Sequence, residues 1–108
     1  MTRCEFFRDG ERITGFSIAG HSGYAEAGAD IICAAISAAT SMAEATINDV
    51  CGGKAKVRVK EADARVTLTL PTSCDEEDTI QAVLAGFLLY LVDLRDQYPE
   101  YIEVMEVQ

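Results

Sequence analysis

From Lys54 to Lys60 the chain alternates strictly, with Ala55, Val57 and Val59 on one face and Lys54, Lys56, Arg58 and Lys60 on the other. That period of two predicts a strand with one solvated side. After the polar turn Glu61-Ala62-Asp63-Ala64, Val66, Leu68 and Leu70 alternate with Arg65, Thr67 and Thr69, which closes a β-hairpin ended by Pro71. An earlier hairpin is predicted where Cys4 to Arg8 and Arg12 to Ala19 flank Asp9-Gly10, a dipeptide suited to the positive φ angles of a tight turn. Two stretches follow a helical period instead. Ile80, Val83, Leu84, Phe87, Leu88, Leu91 and Leu94 form one apolar stripe that ends near Tyr98-Pro99. Ser73 with Glu76 three residues later gives this helix a capping-box signal. The other helix is alanine-rich, runs from Ile31 to about Val50 behind Asp30 as N-cap, and stops at Gly52-Gly53. Its many alanines predict that much of it is buried against a sheet or another subunit. A last strand, Tyr101 to Val107, is apolar on both faces, as a covered central or interface strand is.

The resulting order is ββαββαβ, an α+β domain whose mostly antiparallel sheet carries two packed helices. At 108 residues the chain has room for one domain only, and a core of that size needs no disulfide or metal to hold it. No segment repeats at a fixed period.

Charge narrows the range of partners. Eighteen acidic and nine basic residues leave a net charge of -9, which repels phosphate backbones and argues against a nucleic-acid ligand. The low-charge run from Ile31 to Ala43 is too short to span a bilayer, and no signal peptide is expected before Cys4. Cys4, Cys33, Cys51 and Cys74 are read as thiols of a reducing cytoplasm. Cys4, Cys51 and Cys74 lack the paired spacing of a zinc site, so neither metal nor cofactor is expected.

One constellation can carry chemistry. His21 is the sole histidine, at the start of a glycine-rich segment from Gly20 to Ala29 that has neither helical nor strand period. Cys33 follows twelve residues later, in what this reading makes the first turn of the helix. A helix N-terminus there favours thiolate over thiol, and the free amides of that turn point where an oxyanion forms. By default, however, a cysteine among Ile31, Ile32, Ala34 and Ala35 is a small core residue, and Asp30 is first of all a cap.

Gly20-His21-Ser22-Gly23-Tyr24-Ala25, followed by Gly28-Ala29-Asp30-Ile31-Ile32-Cys33-Ala34-Ala35-Ile36-Ser37, closely resembles the signature of the bacterial ribosomal-processing cysteine proteases, the Prp family. Ile32 and Ile36 stand where valine is frequent, and Ser22 where alanine is frequent. The resemblance implies a cytoplasmic, homodimeric cysteine endopeptidase that removes a short N-terminal extension from protein twenty-seven of the large ribosomal subunit. It also implies Cys33 as nucleophile, His21 as base, and Asp30 and Ser37 as supporting residues. The segment that includes Gly20, Ser22, Gly23, Tyr24 and Gly28 resembles the family's mobile, substrate-gating loop. The competing reading is a non-catalytic module that binds a basic ribosomal protein through its acidic surface.

Overall fold

The computed structural model describes the backbone of residues 1–20 and 27–108, and the side chains of all of these except 27–30. Strands β1 (Thr2–Asp9) and β2 (Arg12–Ala19) form the first hairpin, with Gly10 at φ +60° in its turn. Helix α1 (Ala27–Ala45) runs on into a π-helical turn, Thr46–Val50. Strands β3 (Lys56–Lys60) and β4 (Arg65–Thr69) follow, joined by a single 3-10 turn, then helix α2 (Glu77–Gln97) and strand β5 (Ile102–Val107). The sheet order is β3-β4-β2-β1-β5, and only the β1-β5 pair is parallel. The expected ββαββαβ order and α+β class are therefore those observed.

The helices share one face of the sheet. Register places Phe6, Phe16 and Leu68 side by side across β1, β2 and β4, and all three are buried. The α2 stripe covers this row through Ile80, Leu84, Phe87, Leu88, Leu91 and Leu94, each buried as its spacing predicts. Phe87 meets Phe16 and Phe6 edge-on, with ring centroids 5.1 and 5.4 Å apart. At these separations aromatic rings gain attraction beyond the area they bury. The N-terminal turn of α2 is tied to β2 by polar contacts. Arg12 reaches Glu77 through Nε at 2.8 Å and Nη2 at 3.1 Å, and Gln81 exchanges two 2.8 Å hydrogen bonds with the backbone of Ile13. The hydrogen bond from Arg12 holds the Glu77 carboxyl below the usual carboxylate range.

Five expectations change. Helix α1 begins at Ala27, so Asp30 is its fourth residue rather than its cap, and Gly28 and Ala29 are helical rather than loop. Ala27 and Ala29 are strong helix formers, and their preference offsets the roughly 1 kcal/mol that Gly28 costs. The capping box of Ser73 and Glu76 is not made, because α2 starts only at Glu77 and Glu76 caps it without a side-chain bond. Strand β3 starts at Lys56 because Lys54 sits at φ 55° and Asn48 clasps both backbone polar groups of Ala55, at 2.8 and 3.0 Å. Strand β5 is an edge rather than a central strand, and Met105 and Val107 remain exposed on it.

The fifth change concerns the burial of α1. Ile32, Ile36, Thr40 and Ala43 are buried with Ile47 of the π turn, but Ile31 is 67% and Met42 69% exposed, and Ala34 and Ala38 lie open between them. Ile31–Val50 is also long and apolar enough to cross a membrane by length and composition, with mean hydropathy 1.3, which the shorter low-charge run had not suggested. Its buried residues Ile32, Ile36, Ala43 and Ile47 belong to the same hydrophobic core as Cys4, Phe6, Phe16, Ile18 and Leu68 of the sheet.

Candidate active site

Three faces can be distinguished on α1. Beside the buried stripe, Cys33, Ser37, Thr40, Ser41 and Glu44 recur at i, i+4, i+7, i+8 and i+11, the spacing of one helix side. These residues form one wall of a cleft of about 420 Å³, and Ile18, Val59 and Val66 of the sheet line it with them. The cleft also reaches Gly20 and Thr2, the second of which lies beside the thiol.

The surroundings of that thiol are built by the start of β1 and the end of β2. Thr2 Oγ1 lies 3.9 Å from Cys33 Sγ, a weak hydrogen bond in which either group can donate. The same hydroxyl donates to the Gly20 carbonyl at 3.5 Å. Thr2 is itself buried, and its amide donates to the Tyr101 carbonyl at 2.9 Å, so its position depends on the approach to β5. Gly20 sits at φ +83°, and a Cβ there would lie 2.9 Å from the Met1 carbonyl oxygen. Only glycine fits that crossing.

The residues singled out in the sequence are placed as follows. Cys33 and Ser37 share the cleft-lining face, one turn apart, and Gly20 lines the same cleft. Asp30 lies in α1 one turn before Cys33 and Gly28 in the first turn, both known by backbone alone. His21, Ser22, Gly23 and Tyr24 lie outside the described residues.

The helix-end argument for Cys33 changes with the helix boundary. In a helix that starts at Ala27, the unpaired amides belong to residues 27–30, and Cys33 is the seventh residue, in the second turn. The dipole fades within the first turn, so Cys33 owes less to it than the sequence implied. Thr2 is the functional neighbour that sequence reading missed. Its signal was the alternation Thr2, Cys4, Phe6, which extends the inward face of β1 back to the hydroxyl.

None of the four cysteines is in a disulfide, and among the described residues no cluster of three metal-ligating side chains occurs. Burial pushes the Cys4 thiol up to about 12, and burial also raises that of Cys74. At pH 8 Cys4 is thus thiolate in only about one molecule in ten thousand. Limited alkylation by iodoacetamide near neutral pH, followed by peptide mass mapping, is expected to label Cys33 first and Cys4 last. Earlier labelling of Cys51 or Cys74 would mean that the cleft does not favour reaction at its own thiol.

The fold recurs in solved structures. A ribosomal processing protease Prp from S. aureus, solved with a substrate peptide, matches with a TM-score of 0.87 at 20% identity, over 98% of this chain and 99% of that one. A protein from Streptococcus mutans matches with a TM-score of 0.90 at 22% identity, over 99% of this chain and 94% of that one. At such identities the likeness shows a shared fold. No curated protein matches the chain in sequence. The family model described as cysteine protease Prp matches residues 1–103, nearly all of the cleft-bearing domain. With the motif around Cys33 and the fold in agreement, the chain belongs to the cysteine protease Prp family, a family of hydrolases.

Proposed function

We propose that this chain is a ribosomal-processing endopeptidase in which Cys33 is the nucleophile and His21 its general base and acid. The observation that carries the reading is the position of Cys33, on a cleft whose far wall is apolar sheet and whose rim is Gly20, the residue before His21. In the first step His21 takes the thiol proton, and Cys33 Sγ attacks the scissile carbonyl. The imidazolium then protonates the leaving amine as the C–N bond breaks, which leaves a thioester and a new amino terminus. Next, His21 removes a proton from water, hydroxide adds to the thioester, and the acid product departs as the thiolate is restored. Asp30, one turn before the nucleophile, and Ser37, one turn after it, are supporting residues. The segment of Gly20, Ser22, Gly23 and Tyr24 gates the cleft.

The substrate in this reading is the N-terminal extension of protein twenty-seven of the large ribosomal subunit, a class to which the S. aureus relative's description as a ribosomal processing protease leads. The net charge of -9 suits a basic ribosomal protein and a cytoplasmic encounter with it. The protein acts as a homodimer, a reading supported by exposed Ile31, Ala34, Ala38 and Met42, which form an apolar stripe on α1. Membership of a protease family favours this enzyme over the non-catalytic binding module.

Mass analysis of a peptide spanning the extended ribosomal amino terminus, after incubation with the protein, tests the reading directly. A single internal cleavage is expected, and His21→Ala is expected to slow it by about two to four orders of magnitude. An intact peptide, or near-normal turnover by a folded His21→Ala variant, would remove the proposed substrate or the proposed base respectively.

A further inference from the structure

Among the described residues that line the cleft holding Cys33, Glu44 alone carries a formal charge. It is half-buried, and among the described residues it has no ion pair. Between Cys33 and Glu44 the described α1 wall carries the hydroxyls of Ser37, Thr40 and Ser41, and the sheet opposite is mostly aliphatic, with Ile18, Val59 and Val66. A carboxylate held beside such a wall loses hydration without gaining a counter-charge, unless a cation arrives with the ligand.

Its distance from the chemistry is set by the helix. Eleven residues separate Cys33 from Glu44, and at 1.5 Å per residue that is about 16 Å along the axis of α1. An extended peptide advances about 3.3 Å per residue, so this span corresponds to roughly five residues of substrate. Cys33, Ser37, Ser41 and Glu44 lie on one side of the helix, so a peptide laid along the cleft passes them in order.

We infer that Glu44 is a specificity-determining residue that selects a lysine or arginine four to six residues from the scissile bond. This rests on the reading of Cys33 as the nucleophile of an endopeptidase. The carboxylate faces solvent on one side, so its ion pair is worth a moderate preference rather than an absolute requirement. A five- to tenfold gain in kcat/KM for a cation over a neutral residue at that position is the expected size, about 1 kcal/mol. Glu44 thereby sets the register in which a chain is drawn past the thiol, a task the apolar wall cannot perform because it reads side-chain bulk alone.

The experiment is cleavage-site profiling on a synthetic library of random-sequence 14-residue peptides, read by mass spectrometry, with the wild type, Glu44→Gln, Glu44→Lys and Cys33→Ala. The readout is the enrichment of each residue type at each position around cleaved bonds, compared within each variant. Wild type is expected to enrich lysine and arginine in one window four to six residues from the cleaved bond. Glu44→Gln is expected to flatten that window, and Glu44→Lys to replace the preference by aspartate and glutamate. Should Glu44→Lys fail to fold, the Glu44→Gln profile alone decides. Cleavage that depends on Cys33 but shows the same enrichment in wild type and Glu44→Gln would overturn the role of Glu44 and leave the endopeptidase reading standing. Cleavage that persists in Cys33→Ala, or none by the wild type, would overturn that reading and this inference with it.

Discussion

Cys33→Ala is expected to lower peptide cleavage by about five orders of magnitude or more while leaving the fold intact. Removing the nucleophile of a covalent mechanism costs on the order of a millionfold in turnover, because the remaining groups have no bond-forming partner to assist. Stability should move little. Cys33 is half-buried, and its Sγ makes a long 3.9 Å contact with Thr2, so the truncation opens no sealed cavity. The decisive measurement is single-turnover cleavage beside a urea titration of the same variant. Turnover above about a hundredth of wild type in a folded Cys33→Ala protein would place the nucleophile elsewhere.

The second large effect is structural. Phe87→Ala is expected to destabilise the domain by about 3–5 kcal/mol, a large share of the 5–15 kcal/mol that holds an ordinary domain together. Phe87 is 6% exposed and its ring fills the space between Phe6 and Phe16, so alanine leaves a cavity bounded by two rings that belong to different strands. Three residues further along the same helix, Tyr90 is 41% exposed, and Tyr90→Ala should cost no more than about 0.5 kcal/mol. Urea midpoints at constant m-value compare the two. Equal losses would mean that α2 is not anchored by the aromatic cluster.

Much of this architecture was legible because strong periods leave little choice. The stripe from Ile80 to Leu94 has bulky aliphatic and aromatic residues against polar ones, so its buried side could be read residue by residue. Helix α1 lacked that contrast. Alanine is compatible with core and surface alike, and the sequence did not separate buried Ile32 and Ile36 from exposed Ala34 and Ala38. The polar cleft side of the helix was hidden for the same reason, although Ser37, Ser41 and Glu44 stand at regular spacing once the neighbouring sheet is known.

Cys33 and His21 were singled out by their spacing and by their motif, and the helix end invoked to activate the thiol was misplaced because Gly28 was counted as a loop residue. Thr2 alternates with Cys4 and Phe6, which marked its inward face, but nothing local pointed to Cys33. Its approach to Cys33 depends on the pairing of β1 with both β2 and β5, and such nonlocal register is not written in any short window.

The parallel pairing of Thr2 with Ile102 also has a kinetic consequence. Joining these residues closes a loop of about a hundred residues, whereas α1 can wind from neighbours within microseconds. A chain emerging from the ribosome therefore has the helix that carries Cys33 before the residues that hold its neighbour Thr2. Tyr101, whose carbonyl holds the Thr2 amide, is made nearly seventy residues after Cys33. The thiol is thus synthesised early and framed late, so a nascent chain carries Cys33 before the Thr2 hydroxyl beside it is fixed by the docking of the final strand.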